Sequence, residues 1–193
     1  MNFLYQRIRN CINGSIKVKL RLDVDHACHN KLLSYTRLLT GLPIPFFLNH
    51  ALETREFLKS YSLERIWMFR ARTCPNKWPE PHGLHVTSPE TFKWELKYIE
   101  GKLGEIRYFS RHGFAPYASG RLWSKKEIEF VEKEYNVEDI TAIPHITISR
   151  LKNKPEITNL QGIEQILFHP TYIRTHKKQL EIILKRLQEF KHN

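Results

Sequence analysis

Apolar positions recur along this chain with two different periods, and the switches between them mark its elements. Ile16-Lys17-Val18-Lys19-Leu20-Arg21-Leu22 alternates strictly between apolar and cationic residues, which predicts a half-exposed strand over 16–24. Residues 27–40 read as a helix closed by Gly41, a favourable residue just past a helix end. The stiff turn Leu42-Pro43-Ile44-Pro45 follows, and Asn49 is a suitable N-cap for a helix reaching Ser60. Arg65 to Arg72 has the aromatic and aliphatic density of a strand. A proline-rich loop from Cys74 to Pro81 then carries Trp78.

Ser88 and Pro89 suit the N-cap and first position of a helix. Phe92, Leu96, Ile99 and Leu103 continue it as one apolar stripe, with Gly104 at its end. A strand resumes over 105–109. Ser124 and Glu127 form a capping box for a helix to Tyr135, with Ile128, Val131 and Tyr135 inward. Strands follow at 144–150 and 165–168, and Leu180, Ile183, Leu184 and Leu187 line one face of a basic terminal helix. This order, βαβ then αββ, predicts an α+β domain: a concave sheet with helices on its outer faces.

A length of 193 residues suits one domain, and 41% hydrophobic with 12% aromatic content marks a globular chain. The longest apolar stretch, Leu42 to Leu48, contains two prolines, which excludes a membrane-spanning helix. Cys11, Cys28 and Cys74 are scattered, with neither a disulfide framework nor zinc-ligand spacing. They indicate a reducing compartment, the cytoplasm or alternatively an organellar matrix. Residues 1–22 hold no acid and five cations, as an organellar presequence would, but the alternation over 16–22 favours a structured N-terminal arm. The expected layout is one domain over 1–193: an N-terminal extension (1–60), a motif-bearing core (61–175) and a C-terminal helix (176–193).

Charge changes the picture. Thirty-one basic residues against 20 acidic ones leave a net charge of +11, which concentrates polyanions at the surface. RNA, or a cyclic nucleotide or oligonucleotide, is the expected partner, with no membrane.

The candidate chemistry is in the pattern His-x-Thr, found as His85-Val86-Thr87, His145-Ile146-Thr147 and His169-Pro170-Thr171. In an extended strand residues i and i+2 share a face, so each of the first two would aim an imidazole and a hydroxyl at one surface. Proline in the third argues for an edge or a strand end. Two such strands side by side would suit acid–base chemistry on a phosphodiester: an acid and a base from the histidines, and hydroxyl donors for the phosphate oxygens.

The strings Leu-His-Val-Thr-Ser and Pro-His-Ile-Thr-Ile-Ser-Arg resemble the 2H phosphoesterase superfamily, the LigT-like and cyclic phosphodiesterase proteins. Ser88, where that family is usually apolar, and the short gap between the motifs depart from its pattern. The resemblance implies two pseudo-symmetric halves, with antiparallel sheets forming one concave cleft in a single bilobal domain. It also implies a metal-independent hydrolase cleaving 2′,3′-cyclic, 2′-5′ or cyclic-oligonucleotide bonds in RNA processing or viral anti-defence. The catalytic set would be His85, Thr87, His145 and Thr147, with no cofactor and no metal. The two histidines should then lie on adjacent strands, roughly 5–8 Å apart, with His169 outside the cleft. Arg150, by the same resemblance, would reach phosphate; Trp78, Tyr117 and Tyr172 are candidates for base stacking. His82 and His112 are loop histidines suited to a rim, whereas His26 and His29 belong to a helix start. The alternative function is a catalytically silent, basic RNA-binding subunit of a ribonucleoprotein.

Overall fold

Among the described residues seven strands lie side by side, and every pairing between them is parallel. The computed structural model describes residues 18–25, 49–86, 88–111, 123–148 and 164–191. In chain order the strands are β1 (Lys19–Val24), β2 (Arg65–Phe69), β3 (His82–Val86), β4 (Tyr108–Arg111), β5 (Glu138–Asp139), β6 (His145–Thr147) and β7 (Gln165–Phe168). The helices are α1 (Asn49–Leu58), α2 (Phe92–Leu103), α3 (Lys125–Tyr135) and α4 (Ile173–Lys191), with short 3-10 turns at Ala71–Thr73 and Pro170–Tyr172. No helix among the described residues is long and apolar enough to cross a membrane.

The strand order is β5-β4-β3-β2-β1-β7-β6, a single curled sheet resembling half a barrel. Its curl follows from the connection between its two edges. β5 and β6 sit at opposite edges, yet only residues 140–144 join them. Seven strands laid flat would separate these edges by about 29 Å, whereas that short connection reaches at most roughly 20 Å. The sheet therefore has to bend, and the Arg21 Nη1–H donates to the Ile140 carbonyl at 3.0 Å across the concave side.

These pairings overturn the expected α+β, antiparallel, bilobal architecture. The fold is α/β, and the described residues form one parallel sheet rather than two antiparallel halves. The reason lies in the connections: β3–α2–β4 and β4–α3–β5 each return the chain to the end it left, and crossovers of that length pair strands in parallel.

The outer face of the sheet meets the helices. Leu20, Leu22, Val24, Trp67, Phe69 and Leu84 point that way into the main apolar core, where Phe92, Ile99, Leu180 and Leu184 face them. The inner face holds a small apolar group, Ile66, Met68 and Ile140, beside a buried polar row of Arg21, Asp23, His85, Ser110 and Gln165. The alternation of β1 had read as half-exposed, but its polar side faces this closed interior. β1 is an interior strand, paired on both sides with β2 and β7, so the segment read as an N-terminal arm lies within the sheet. Gly83 permits the close approach of β3 to β4: a Cβ there would lie 2.5 Å from the Tyr108 carbonyl oxygen and 2.8 Å from Met68 Cε.

The capping box at Ser124 and Glu127 forms as expected, and α3 ends at Asn136 in the left-handed region, φ 52°. The stripe of α2 is also as expected, but its start is later. Ser88 to Thr91 form a turn in which the Thr91 hydroxyl donates to the Ser88 carbonyl at 3.0 Å, and the α-helix begins at Phe92.

Candidate active site at the carboxyl edge of the sheet

In parallel α/β sheets, strand carboxyl ends and the loops beyond them are where ligands bind. Several titratable residues gather there. In β1, Arg21 and Asp23 share the inner face, and Asp25 lies one residue past the strand, so the backbone carries two carboxylates to its carboxyl end. The registers with β2 and β3 place Arg70 and His85 level with Asp25; the register with β7 places His169 level with Asp23. His169 keeps an extended backbone, φ −97° and ψ 113°, because the following Pro170 disfavours helical geometry in the residue before it. The third motif is thus at a strand end, as its proline indicated.

Asp25 stands between two imidazoles. Its Oδ1 lies 3.1 Å from His85 Nε2, and its Oδ2 lies 3.4 Å from His169 Nε2. His85 is 3% exposed, and its Nδ1 shares a 2.7 Å hydrogen bond with the Ser110 hydroxyl on β4. Asp23 Oδ2 is 3.9 Å from the same nitrogen and is held by Arg21. One consistent proton arrangement is for Ser110 to donate to Nδ1 while Nε2–H faces the Asp25 carboxylate. The Nδ1 of His169 has no hydrogen bond among the described residues. Tyr172 packs edge-on against the His169 ring, centroids 6.2 Å apart.

Further along the same edge, Arg111 at the end of β4 pairs with Asp139 at 2.8 Å. The Arg111 backbone N–H donates to Thr141 Oγ1 at 2.7 Å, so the start of the connection between the sheet edges is fastened here. No three His, Cys, Asp or Glu side chains among the described residues are grouped as ligands of one metal ion. Asp25 is a carboxylate between two rings, an arrangement that can orient an imidazole, fix its tautomer and stabilise it when protonated.

The expected pairing of His85 with His145 does not occur. Three strands, β2, β1 and β7, separate β3 from β6. The registers put His145 level with Lys19 and His85 level with Asp25, about 20 Å further along the strands at 3.3 Å per residue. The cause is topological: a parallel sheet sends the two motifs to different strands, and their registers place them at opposite ends. His145 is exposed, and its Nδ1 lies 3.0 Å from the Ile143 carbonyl. Thr147 is half-buried on the same edge strand. His169, expected outside the cleft, is the histidine that shares Asp25 with His85.

Of the remaining candidates, Tyr172 lies beside the site, and Trp78 is buried in the outer layer, edge-on to Trp67 and Phe69. His82 opens β3 at the end opposite His85, with Nδ1 2.9 Å from the Glu80 carbonyl. Thr87, Tyr117, Arg150, His26, His29 and His112 lie outside the described residues. Sequence reasoning missed Asp23 and Asp25. The available signal was Leu22-Asp23-Val24-Asp25, two acids two residues apart at the end of an apolar-alternating strand.

The fold and this edge define a parallel α/β half-barrel with a carboxylate–imidazole centre. No family model, no curated protein and no solved structure matches the chain. The resemblance to 2H phosphoesterases therefore stands on its motif residues alone.

Proposed function

We propose that the chain is a hydrolase of phosphodiesters whose acid–base centre is Asp25 with His85 and His169. The observation that carries this reading is the Asp25 carboxylate within 3.1 Å of one Nε2 and 3.4 Å of the other at the carboxyl edge. The net charge of +11 supports an anionic substrate. In this reading Asp25 accepts from His169 Nε2–H, and the Nδ1 lone pair takes a proton from the attacking water or hydroxyl as its oxygen bonds to phosphorus, then returns that proton to the leaving oxygen as the old P–O bond breaks. His85, fixed by Ser110, directs its Nε2–H at the other oxygen of Asp25. Arg70 follows β2 with extended backbone, φ −79° and ψ 153°, so it continues the alternation that turns Ile66 and Met68 inward. A guanidinium in that position suits the charge that builds on phosphate oxygens.

The test is a panel of 2′,3′-cyclic, 2′-5′-linked and cyclic-oligonucleotide substrates, assayed in EDTA. His169→Asn and Asp25→Asn should each lower turnover by ~10²–10⁴-fold, while His145→Ala should stay within about twofold of the parent. Loss of activity in His145→Ala with retention in His169→Asn would return the site to the two strand motifs. Activity lost in EDTA and restored by a divalent ion would overturn the proton-transfer scheme. An unmodified protein that cleaves nothing in the panel yet binds RNA would leave the silent binding subunit as the better account.

A further inference from the structure

A cavity of about 520 Å³ opens on the helix side of the sheet. Its walls come from α1, from the loop between β2 and β3, and from α2. It is separate from the Asp25 centre: Trp78, one of its walls, packs on Trp67 and Phe69, which face away from the concave interior. This site does not depend on the hydrolytic reading.

Among the described residues that line the cavity are four cations, Arg55, Arg72, Lys77 and Lys102, and no Asp or Glu. Glu80 steadies Arg55 from behind at 2.9 Å and keeps the guanidinium 5.7 Å from the Trp78 ring. Lys102 stands 4.6 Å over the Tyr98 ring. Like charges converging on one concavity repel unless an anion joins them, and a concave wall strengthens their common field. Cys74 adds no negative charge at neutral pH, because burial pushes its thiol up to about 11.

The remaining wall is apolar and open. Tyr98 is 43% exposed and Leu52 48% exposed, so both offer apolar surface to a ligand. A cavity of this volume suits a small molecule rather than a lone ion. Cations beside an aromatic face match a ligand carrying a phosphate and a flat ring.

We propose that this cavity binds a nucleoside monophosphate, its phosphate held by Lys77, Lys102 and Arg72 and its base laid against Tyr98 and Leu52. The recognition is divided: the phosphate sets affinity through charge-assisted hydrogen bonds, and the ring sets orientation through stacking.

Calorimetric titration of the full chain with AMP, adenosine and inorganic phosphate tests this. AMP should bind at least roughly tenfold more tightly than either fragment, since each supplies only half of the contacts. Lys102→Glu and Lys77→Glu, both solvent-side changes checked for folding by circular dichroism, should each weaken AMP by roughly tenfold or more. Bound AMP should also slow alkylation of Cys74, read by mass spectrometry, since that thiol lines the cavity. AMP affinity equal to that of phosphate or adenosine, unchanged affinity in both charge variants, or AMP binding without protection of Cys74 would each overturn the proposal.

Discussion

Replacing Arg21 by Met should destabilise this protein more than any conservative surface change. Arg21 and Asp23 are 3% and 2% exposed, inside the curl of the sheet. Their ion pair runs through Nε and Oδ1 at 3.1 Å, with a hydrogen bond from Nη2–H to Oδ2 at 3.2 Å. The Nη1–H adds the 3.0 Å bond to the Ile140 carbonyl, which ties β1 to the connection between the sheet edges. Methionine fills much of the volume but leaves a buried carboxylate without its cation. Removal of one partner from a buried pair costs about 3–5 kcal/mol, a large share of the roughly 5–15 kcal/mol that stabilises a domain. Asp23→Asn alone should cost a similar amount, because the guanidinium then loses its counter-charge. The double variant Arg21→Met/Asp23→Leu removes both charges and leaves the Ile140 carbonyl and Gln165 Oε1 without their donor, a loss of about 1–3 kcal/mol for each. Guanidinium unfolding followed by tryptophan fluorescence measures all of these, since Trp67 and Trp78 are buried in the core. A loss below about 1 kcal/mol for Arg21→Met, or a double variant at least as unstable as the two single ones summed, would refute this account of the interior.

The two glycines of contrasting surroundings should respond in opposite directions. Gly83→Ala forces a Cβ against the Tyr108 carbonyl oxygen at 2.5 Å, so a loss of at least about 1–3 kcal/mol is expected in the same unfolding assay. Gly101→Ala, in α2 with nothing within 4 Å of the added methyl, should stabilise by about 0.5–1 kcal/mol. Cys74 should resist iodoacetamide near pH 8.5: with its thiol near 11 rather than 9.0, the thiolate fraction is roughly 100-fold below that of the unfolded chain. Because the folded-state value is raised, its contribution to stability is full below pH 9 and falls away as pH rises toward 11. Equal labelling rates in native and unfolded protein would contradict that burial.

Elements with a local cause were legible in the sequence. The capping box at Ser124 and Glu127, the stripe from Phe92 to Leu103, and the inward face of Leu180, Ile183, Leu184 and Leu187 depend on neighbours three or four residues away, and the structure contains all three. The start of α2 was less legible, because Ser88, Pro89 and Thr91 can all open a helix and the turn they make together decides among them. His85 was singled out by its own chemistry and lies beside Asp25. His169 was passed over because its proline spoke against a ladder strand, although that proline is what holds it extended at the strand end.

Strand direction and closure could not be read locally. An alternating strand such as β1 has the same pattern whether its polar side meets water or a closed interior, since alternation records two faces and not what each face touches. Here the short link between β5 and β6 requires the sheet to curl, and the curl buries Arg21 and Asp23 on the polar side. Pairing between strands is equally non-local. β1 pairs with strands that begin at residues 65 and 165, and nothing within a few residues of Asp25 indicates that His85 and His169 will meet it. By itself the sequence determined which residues can transfer protons, which helices form and where they cap, because those depend on side-chain chemistry and spacing along the chain. Only the tertiary structure decided which histidines share a carboxylate, because parallel register and sheet closure are settled by contacts between segments far apart in sequence.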